Sequence, residues 1–403
     1  MSVLNILEEK LAETKKQGRF REFLNLERGV QDKPWATSHG HHGERRLNVW
    51  CSNDYLAMSH HPKVLLATTD AVNRVGLGTC GARSISGTSV YHSELETLLA
   101  SAYGKESALL FTTGFGANDA TLSTLCDVIP DLIVFSDELN HASMIYGIRY
   151  SKAEKKIFRH NDVAHLAELL QAADPARPKL IAFESLYSMD GDFAPLAQIV
   201  ALAEQYQALT YLDEIHSAGV YGERGLGYAE QLGLLDKITI IQGGFGKSYG
   251  AAGGYIAAPR SVVEAVRSWA PAFVFSTSSP APVVAAALAS FRYNLEHDTQ
   301  RKHLLAIVDH LKTGLRAAGI PLVSADSHIL PLLVGDPHRN KHISKVLLDE
   351  HDIYVQPVNA PTVPAGSERL RVTPTSAHSH ADVETFLAAL GRVWAANDLR
   401  RAG

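Results

Sequence analysis

Between residues 108 and 241 the chain repeats one pattern: a short apolar run, then a longer segment of helical spacing or a glycine-led turn. The runs fall at 108–111, 132–135, 180–183, 209–212 and 238–241. Between them lie amphipathic stretches such as 162–172, where Val163, Leu166, Leu169 and Leu170 share one face and Asp162 stands as N-cap. Short runs apolar on both sides must be covered on both faces, and connections long enough to hold a helix make neighbouring strands parallel. The expected fold is therefore α/β, with a mostly parallel central sheet and helices on both faces. Ligands of such sheets sit at the carboxyl ends of the strands. Glu184, Asp213 and Lys247 fall there.

From about residue 280 the pattern changes. Leu304, Ile307, Val308, Leu311 and Leu315 follow helical spacing, then strand-like runs appear at 329–334, 353–356 and 370–373, before a last helix near 382–396. This predicts an N-terminal helical arm (1–45), a large α/β domain (46–285) and a small α+β domain (286–403). With 46% hydrophobic and 20% charged residues the chain has ample core for that size. A net charge of -5 argues against nucleic acid or an anionic membrane as partner. Apolar runs long enough to span a bilayer are missing, and Glu8, Glu9 and Glu13 do not suit a secretory or transit segment, so the cytoplasm is expected. Cys51, Cys80 and Cys126 lack C-x-x-C spacing, which supports neither disulfides nor a zinc ribbon. His39, His41 and His42 lie in a Gly/Ser-rich loop without matching cysteine or acid spacing; they read as solvated, and no metal is expected.

The strand at 238–241 runs into Gln242-Gly243-Gly244-Phe245-Gly246-Lys247-Ser248-Tyr249-Gly250. A lysine in such a turn grips a phosphate or forms a Schiff base. The Walker pattern needs a glycine five residues before Gly246, where Ile241 stands, so the phosphate-loop reading fails on spacing. The Schiff-base reading gains from Asp213, which ends an apolar strand: pyridoxal phosphate (PLP) needs a lysine for its aldehyde and a carboxylate for its pyridine nitrogen. His216 follows three residues later and can donate to the ring's phenolic oxygen. His141, just past the strand ending at 135, offers a ring to stack on the cofactor. The turn at 112–119, with Gly114, Phe115 and Gly116 opening a helix, suits a phosphate. Arg371, in Arg369-Leu370-Arg371-Val372-Thr373, is a natural clamp for an amino-acid carboxylate, though a surface arginine on a strand edge would read the same.

Taken with the runs Trp50-Cys51-Ser52-Asn53-Asp54-Tyr55-Leu56, 117–125, 140–145, 158–162, 184–192, Phe275-Ser276-Thr277-Ser278 and 353–357, these residues resemble the α-oxoamine synthases. These are fold-type I PLP enzymes that join an amino acid to an acyl-CoA with loss of CO2, and the likeness is strongest to the 5-aminolevulinate synthase family. The resemblance implies a homodimer with shared active sites. It implies Lys247 as the PLP lysine, Asp213 at the pyridine nitrogen, His141 against the ring, and Ser188 and His216 near the phenolic oxygen. The phosphate would meet Gly114 and Phe115, with Ser276 and Thr277 from a second subunit. Asn53, Arg371 and Thr373 would bind the amino acid, glycine in that family, and Arg21 the acyl carboxylate of succinyl-CoA.

The chain departs from that family's pattern in four places. Ala82 and Ser84 replace a threonine and an asparagine that help hold the acyl carboxylate, Gly244 replaces a threonine, and Tyr146 replaces an acid or amide. A sister synthase using another acyl-CoA or amino acid is therefore the alternative expectation.

Overall fold

The computed structural model describes residues 2–20, 22–40, 43–397 and 399. The chain forms two compact units. One comprises Asp54–Tyr187 and Phe193–Arg301; the other comprises Met1–Asn53, Ser188–Asp192 and Lys302–Gly403.

The large unit is built on seven strands: β1 (Ser107–Phe111), β2 (Ile133–Asp137), β3 (Glu154–Phe158), β4 (Lys179–Glu184), β5 (Leu209–Asp213), β6 (Ile240–Gly244) and β7 (Gly254–Ala258). Their order is β1-β7-β6-β5-β4-β2-β3. The β2–β6 neighbours are parallel, and β7 pairs antiparallel with both β1 and β6. Alternate residues enter two apolar layers: Phe135, Ile181, Phe183 and Leu212 on one face, and Val134, Leu180, Ala182 and Tyr211 on the other. The mostly parallel sheet covered on both faces is the architecture the apolar runs require.

Two strands were not legible in the runs. β3 reads Glu-Lys-Lys-Ile-Phe; it lies at the sheet edge, where only Phe158 is buried and Ile157 is half exposed. β7 is short, with a glycine and two alanines, and is read only through its neighbours. The large unit also runs on to Arg301, beyond the expected boundary at 285. The reason is the helix Ala281–Glu296, which packs along Pro62–Val75 and Val90–Tyr103 and buries Val284, Leu288 and Phe291 in the large core.

The small unit holds two sheets. Leu26–Glu27, Trp35–Gly40, Gly43–Val49 and Ile353–Tyr354 form one; Leu330–Leu333, Arg369–Val372 and Gln356–Val358 form the other. Arg369–Val372 is the central strand of the second, paired with both neighbours. Its core gathers Trp50, Ile307, Leu311, Leu315 and Trp394. Trp50 stacks on Phe386 with ring centroids 4.4 Å apart. Among the described residues no helix is long and apolar enough to cross a membrane.

Among the buried histidines, His92 lies in the large unit and His328 and His378 in the small one. Burial lowers their pKa to about 4, about 3 and about 4 respectively, helped at His328 by the charges of Arg371 and Lys312. An unfolded histidine titrates near pH ~6.5, so below that pH the unfolded chain takes up protons that the folded chain refuses. Buried Glu184, Asp213 and Glu214, with raised pKa, act in the opposite sense, so the effect is read one residue at a time. In urea titrations between pH 6.5 and 4, His328→Asn should flatten the fall in stability by up to about 1.4 kcal/mol per pH unit relative to the parent. Parallel pH profiles for the two would contradict this.

Candidate active site

The site begins at the carboxyl ends of β4, β5 and β6. Asp213 closes β5 and is buried. Its Oδ2 accepts from Asn118 Nδ2 at 2.8 Å and its Oδ1 from the main-chain N–H of Ile215 at 2.8 Å. Asn118 is fixed in turn, because Tyr211 O–H donates to its Oδ1 at 2.7 Å and its own Nδ2 reaches Ser143 Oγ at 3.0 Å. Burial raises the Asp213 pKa; the Asn118 and Ile215 hydrogen bonds and the charges of His141 and Lys247 pull it back. Among these, Asn118 is the residue sequence reasoning missed. It lies in the 112–119 turn, but its bond to Asp213 spans 95 residues and leaves no local signal.

His141 is the N-cap of the helix Ala142–Arg149. Its Nδ1 lies 2.6 Å from Ser143 Oγ and accepts the Ser143 N–H at 3.3 Å, which fixes the ring's direction. The main-chain N–H of His141 donates to Glu184 Oε1 at 2.5 Å. The His141 residue remains exposed, and its ring and that of Phe115 meet edge-on at 6.4 Å. The dense surroundings still lower the His141 pKa, by desolvation first; Lys247 adds to this and Asp213 opposes it.

Lys247 lies in the turn after β6, half-buried, and its charge is felt by both Asp213 and His141. The turn is tight. Phe245 N–H donates to Gly253 O at 3.0 Å, Ala251 N–H to Phe245 O at 2.9 Å, and Gly250 N–H to Lys247 O at 2.9 Å. Gly250 has φ +61° and backs onto the main chain of Ser59, so a side chain does not fit there. His216 is buried on the turn after β5, with Nδ1 2.8 Å from Tyr55 O–H. That turn is held by Glu214, which accepts from Ser185 Oγ at 2.7 Å, Tyr228 N–H at 3.0 Å and Ala229 N–H at 2.8 Å.

Gly114 opens the helix Gly114–Val128, with Thr113 as N-cap accepting from Gly116 N–H at 2.9 Å. A helix start carries unpaired N–H groups and partial positive charge, which suit a phosphate. A Cβ on Gly114 or on Gly244 would meet Ile215 Cδ1, at 2.5 and 2.7 Å. The isoleucine methyl thus occupies the room a side chain at position 244 would need, which gives the departure at Gly244 a steric reason. Ser276 and Thr277 line a pocket with Thr112, Gly116, Arg83 and His92. Ala82 bridges Thr277, and Ser84 is exposed on the turn Arg83–Gly87, whose arginine is paired with Glu96 at 2.9 Å. Tyr146 is half exposed, 6.1 Å from Phe115.

In the small unit Arg371 is buried on the central strand, which removes the reading of a surface arginine on an edge. Its Nη1 donates to Asn53 Oδ1 at 3.0 Å and its Nε to Ser188 O at 2.7 Å. Thr373 Oγ1 donates to Ser52 O at 2.9 Å. The Ser188 carbonyl is thus one of the two anchors of Arg371. Arg21, His41 and His42 lie outside the described residues. Among the described residues no group of histidines, cysteines and acids is arranged to hold a metal.

The donor set fits PLP: a buried carboxylate for a protonated ring nitrogen, an exposed imidazole, a lysine whose charge reaches both, and a helix start for phosphate. Residues 46–390 match the family described as aminotransferase class I and II, and the chain belongs to that family of PLP enzymes. Within it the chain is an α-oxoamine synthase, similar to 5-aminolevulinate synthases over nearly its whole length. It is 48% identical over 395 residues to the enzyme of Rhodobacter capsulatus, covering 96% of this chain and 95% of the relative. It is 49% identical over 386 residues to that of Rhizobium meliloti, covering 96% of each. Among solved structures, a serine palmitoyltransferase from Sphingomonas wittichii superposes with TM-score 0.91 at 31% identity, covering 99% of this chain and 100% of that one. A structure of SPT holding PLP gives TM-score 0.93 at 31% identity and the same coverage. The protein is thus a PLP-dependent acyltransferase.

If Ile215 and Gly244 share one volume, Gly244→Thr overpacks it. That variant should lose about 1–3 kcal/mol of stability in urea titration, and adding Ile215→Ala should recover much of the loss. Strict additivity of the two changes would show that the residues do not compete for space.

Proposed function

We propose that the protein condenses glycine with succinyl-CoA, releasing CoA and CO2 and yielding 5-aminolevulinate for tetrapyrrole synthesis. The observation that carries this reading is identity near 48% to 5-aminolevulinate synthases over almost the whole chain, with the Lys247, Asp213 and His141 cluster in place. It favours glycine and succinyl-CoA over a sister synthase with another acyl donor, despite Ala82 and Ser84. The protein is read as cytoplasmic and as a homodimer, in which Ser276 and Thr277 of a second copy complete the phosphate site.

When bound, PLP supplies the aldehyde and the electron-accepting ring that make the amino acid's Cα proton labile. Lys247 Nζ takes that proton and later returns one. Asp213, as a carboxylate, would hold a proton on the pyridine nitrogen, and a cation there would offset the burial that raises its pKa. His141 would lie against the ring. The N–H groups at Gly114 and Phe115 would take the phosphate, and His216 and Ser188 would serve the phenolic oxygen. Arg371, held by Asn53 and the Ser188 carbonyl, takes the glycine carboxylate together with Thr373. Ala82 and Ser84 would line the acyl chain, and Arg21 is the residue the family resemblance assigns to its carboxylate. A C–C bond forms between glycine Cα and the thioester carbonyl, the C–S bond breaks, CoA leaves, and the glycine carboxyl departs as CO2.

Lys247→Ala should lower turnover of glycine and succinyl-CoA by about a thousand-fold or more while PLP still binds. Near-normal turnover in that variant would refute the assignment. Arg371→Lys keeps the charge but loses the two-pronged geometry, so the KM for glycine should rise about ten-fold with a smaller change in kcat. An acyl-CoA panel in which another thioester outruns succinyl-CoA would turn the reading to the sister synthase.

A further inference from the structure

Glu184 has no role in the chemistry above, yet it is 2% exposed at the end of β4 and is in register with Asp213 at the end of β5. Neighbouring strands lie about 4.8 Å apart, so the two carboxyl groups share one low-dielectric space. Two like charges there cannot both be maintained without strong compensation, and one proton shared between them is the usual outcome. The partners decide where it resides. Asp213 receives the Asn118 amide and the Ile215 N–H and feels the charges of His141 and Lys247. Glu184 Oε1 receives the His141 main-chain N–H.

The other groups around Glu184 do not reverse this balance. On the side away from Asp213 stands Asp137 at the end of β2, whose negative charge disfavours a second anion. Asp137 is itself occupied by His160 Nδ1 at 2.9 Å and by the N–H groups of Leu139 and Asn161. His160 offers Glu184 some compensation, ranked below the repulsion from both aspartates. Tyr187 O–H lies 3.3 Å from the Glu184 main-chain N–H. Burial and then the Asp213 charge push the Glu184 pKa well above the ordinary carboxylate range.

We propose that Glu184 is a positioning residue for the cofactor site: it ties down His141 through the main-chain N–H and, as the neutral member of the Glu184–Asp213 pair, leaves the negative charge on Asp213. One carboxyl group thereby performs two tasks. It fixes the backbone at the helix start from which the His141 ring projects. It also adds no competing anion beside the group that must hold a proton on the ring nitrogen. The inference rests on the PLP reading of the site, and it concerns Glu184, a residue that the reaction itself leaves unused.

Two variants separate these tasks. Glu184→Gln is neutral and keeps an oxygen that can accept the His141 N–H. It should bind PLP within about three-fold of the parent and leave the visible absorbance spectrum at pH 7 unchanged. As the pH is raised, the parent's spectrum should show an inflection, from Glu184 ionising, that this variant lacks. Glu184→Leu is neutral but cannot accept, so PLP should bind at least ten-fold more weakly. In the cofactor-free protein the His141 imidazole, followed by NMR, should titrate at a changed pH. An infrared difference spectrum between the parent and Glu184→Gln at pH 7 should contain the carbonyl stretch of a protonated carboxylic acid. The inference is overturned if that band is absent, if Glu184→Gln shifts the neutral-pH spectrum, or if folded Glu184→Leu binds PLP as the parent does. If Glu184→Leu does not fold, the infrared band and the Glu184→Gln spectra decide. Failure of the parent itself to take up PLP would instead overturn the proposed function.

Discussion

The fold of the large unit depends on keeping charge at the dry end of a parallel sheet. A carboxylate at the end of a central strand loses most of its hydration, and the loss is tolerable only if donors and opposite charges are brought to it. Asp213 is given an amide from the helix after β1, a main-chain N–H from its own turn and two nearby basic groups. Each provider comes from a different element, so the helix starts around the site are held in place by the same bonds that tolerate the charge. Tyr211 and Ser143, which have no evident chemistry, belong to this arrangement because they fix Asn118.

Much of this was legible in the sequence. Apolar runs marked five of the seven strands, since burial on both faces leaves no polar position in them. Lys247, Asp213 and Arg371 could be named because each follows or occupies such a run. The edge strand β3 was not legible, because an exposed edge tolerates Glu154, Lys155 and Lys156. The small-residue strand β7 was missed for the opposite reason: glycine and alanine carry little pattern.

The polar contacts within the site were legible only as candidates. The partners of His216, Asp213 and Arg371 are 161, 95 and 318 residues away in the chain. No local spacing encodes a bond of that range, so Asn118 and Tyr55 came from the structure alone. Arg371 shows a related limit. Its sequence context fits a surface strand equally well, and only the central position of Arg369–Val372 separates the two. The departure at Gly244 likewise looked like a missing group until Ile215 was found filling its place.

The turn carrying His216 is closed by Glu214, whose buried carboxylate gathers donors from Ser185, Ser217, Tyr228 and Ala229. Opening that turn would strip the buried carboxyl group of all four donors at once, so the turn and the strand end it follows are held together. Slow exchange of the amides around His216 with solvent, compared with those of exposed turns, is the expected consequence.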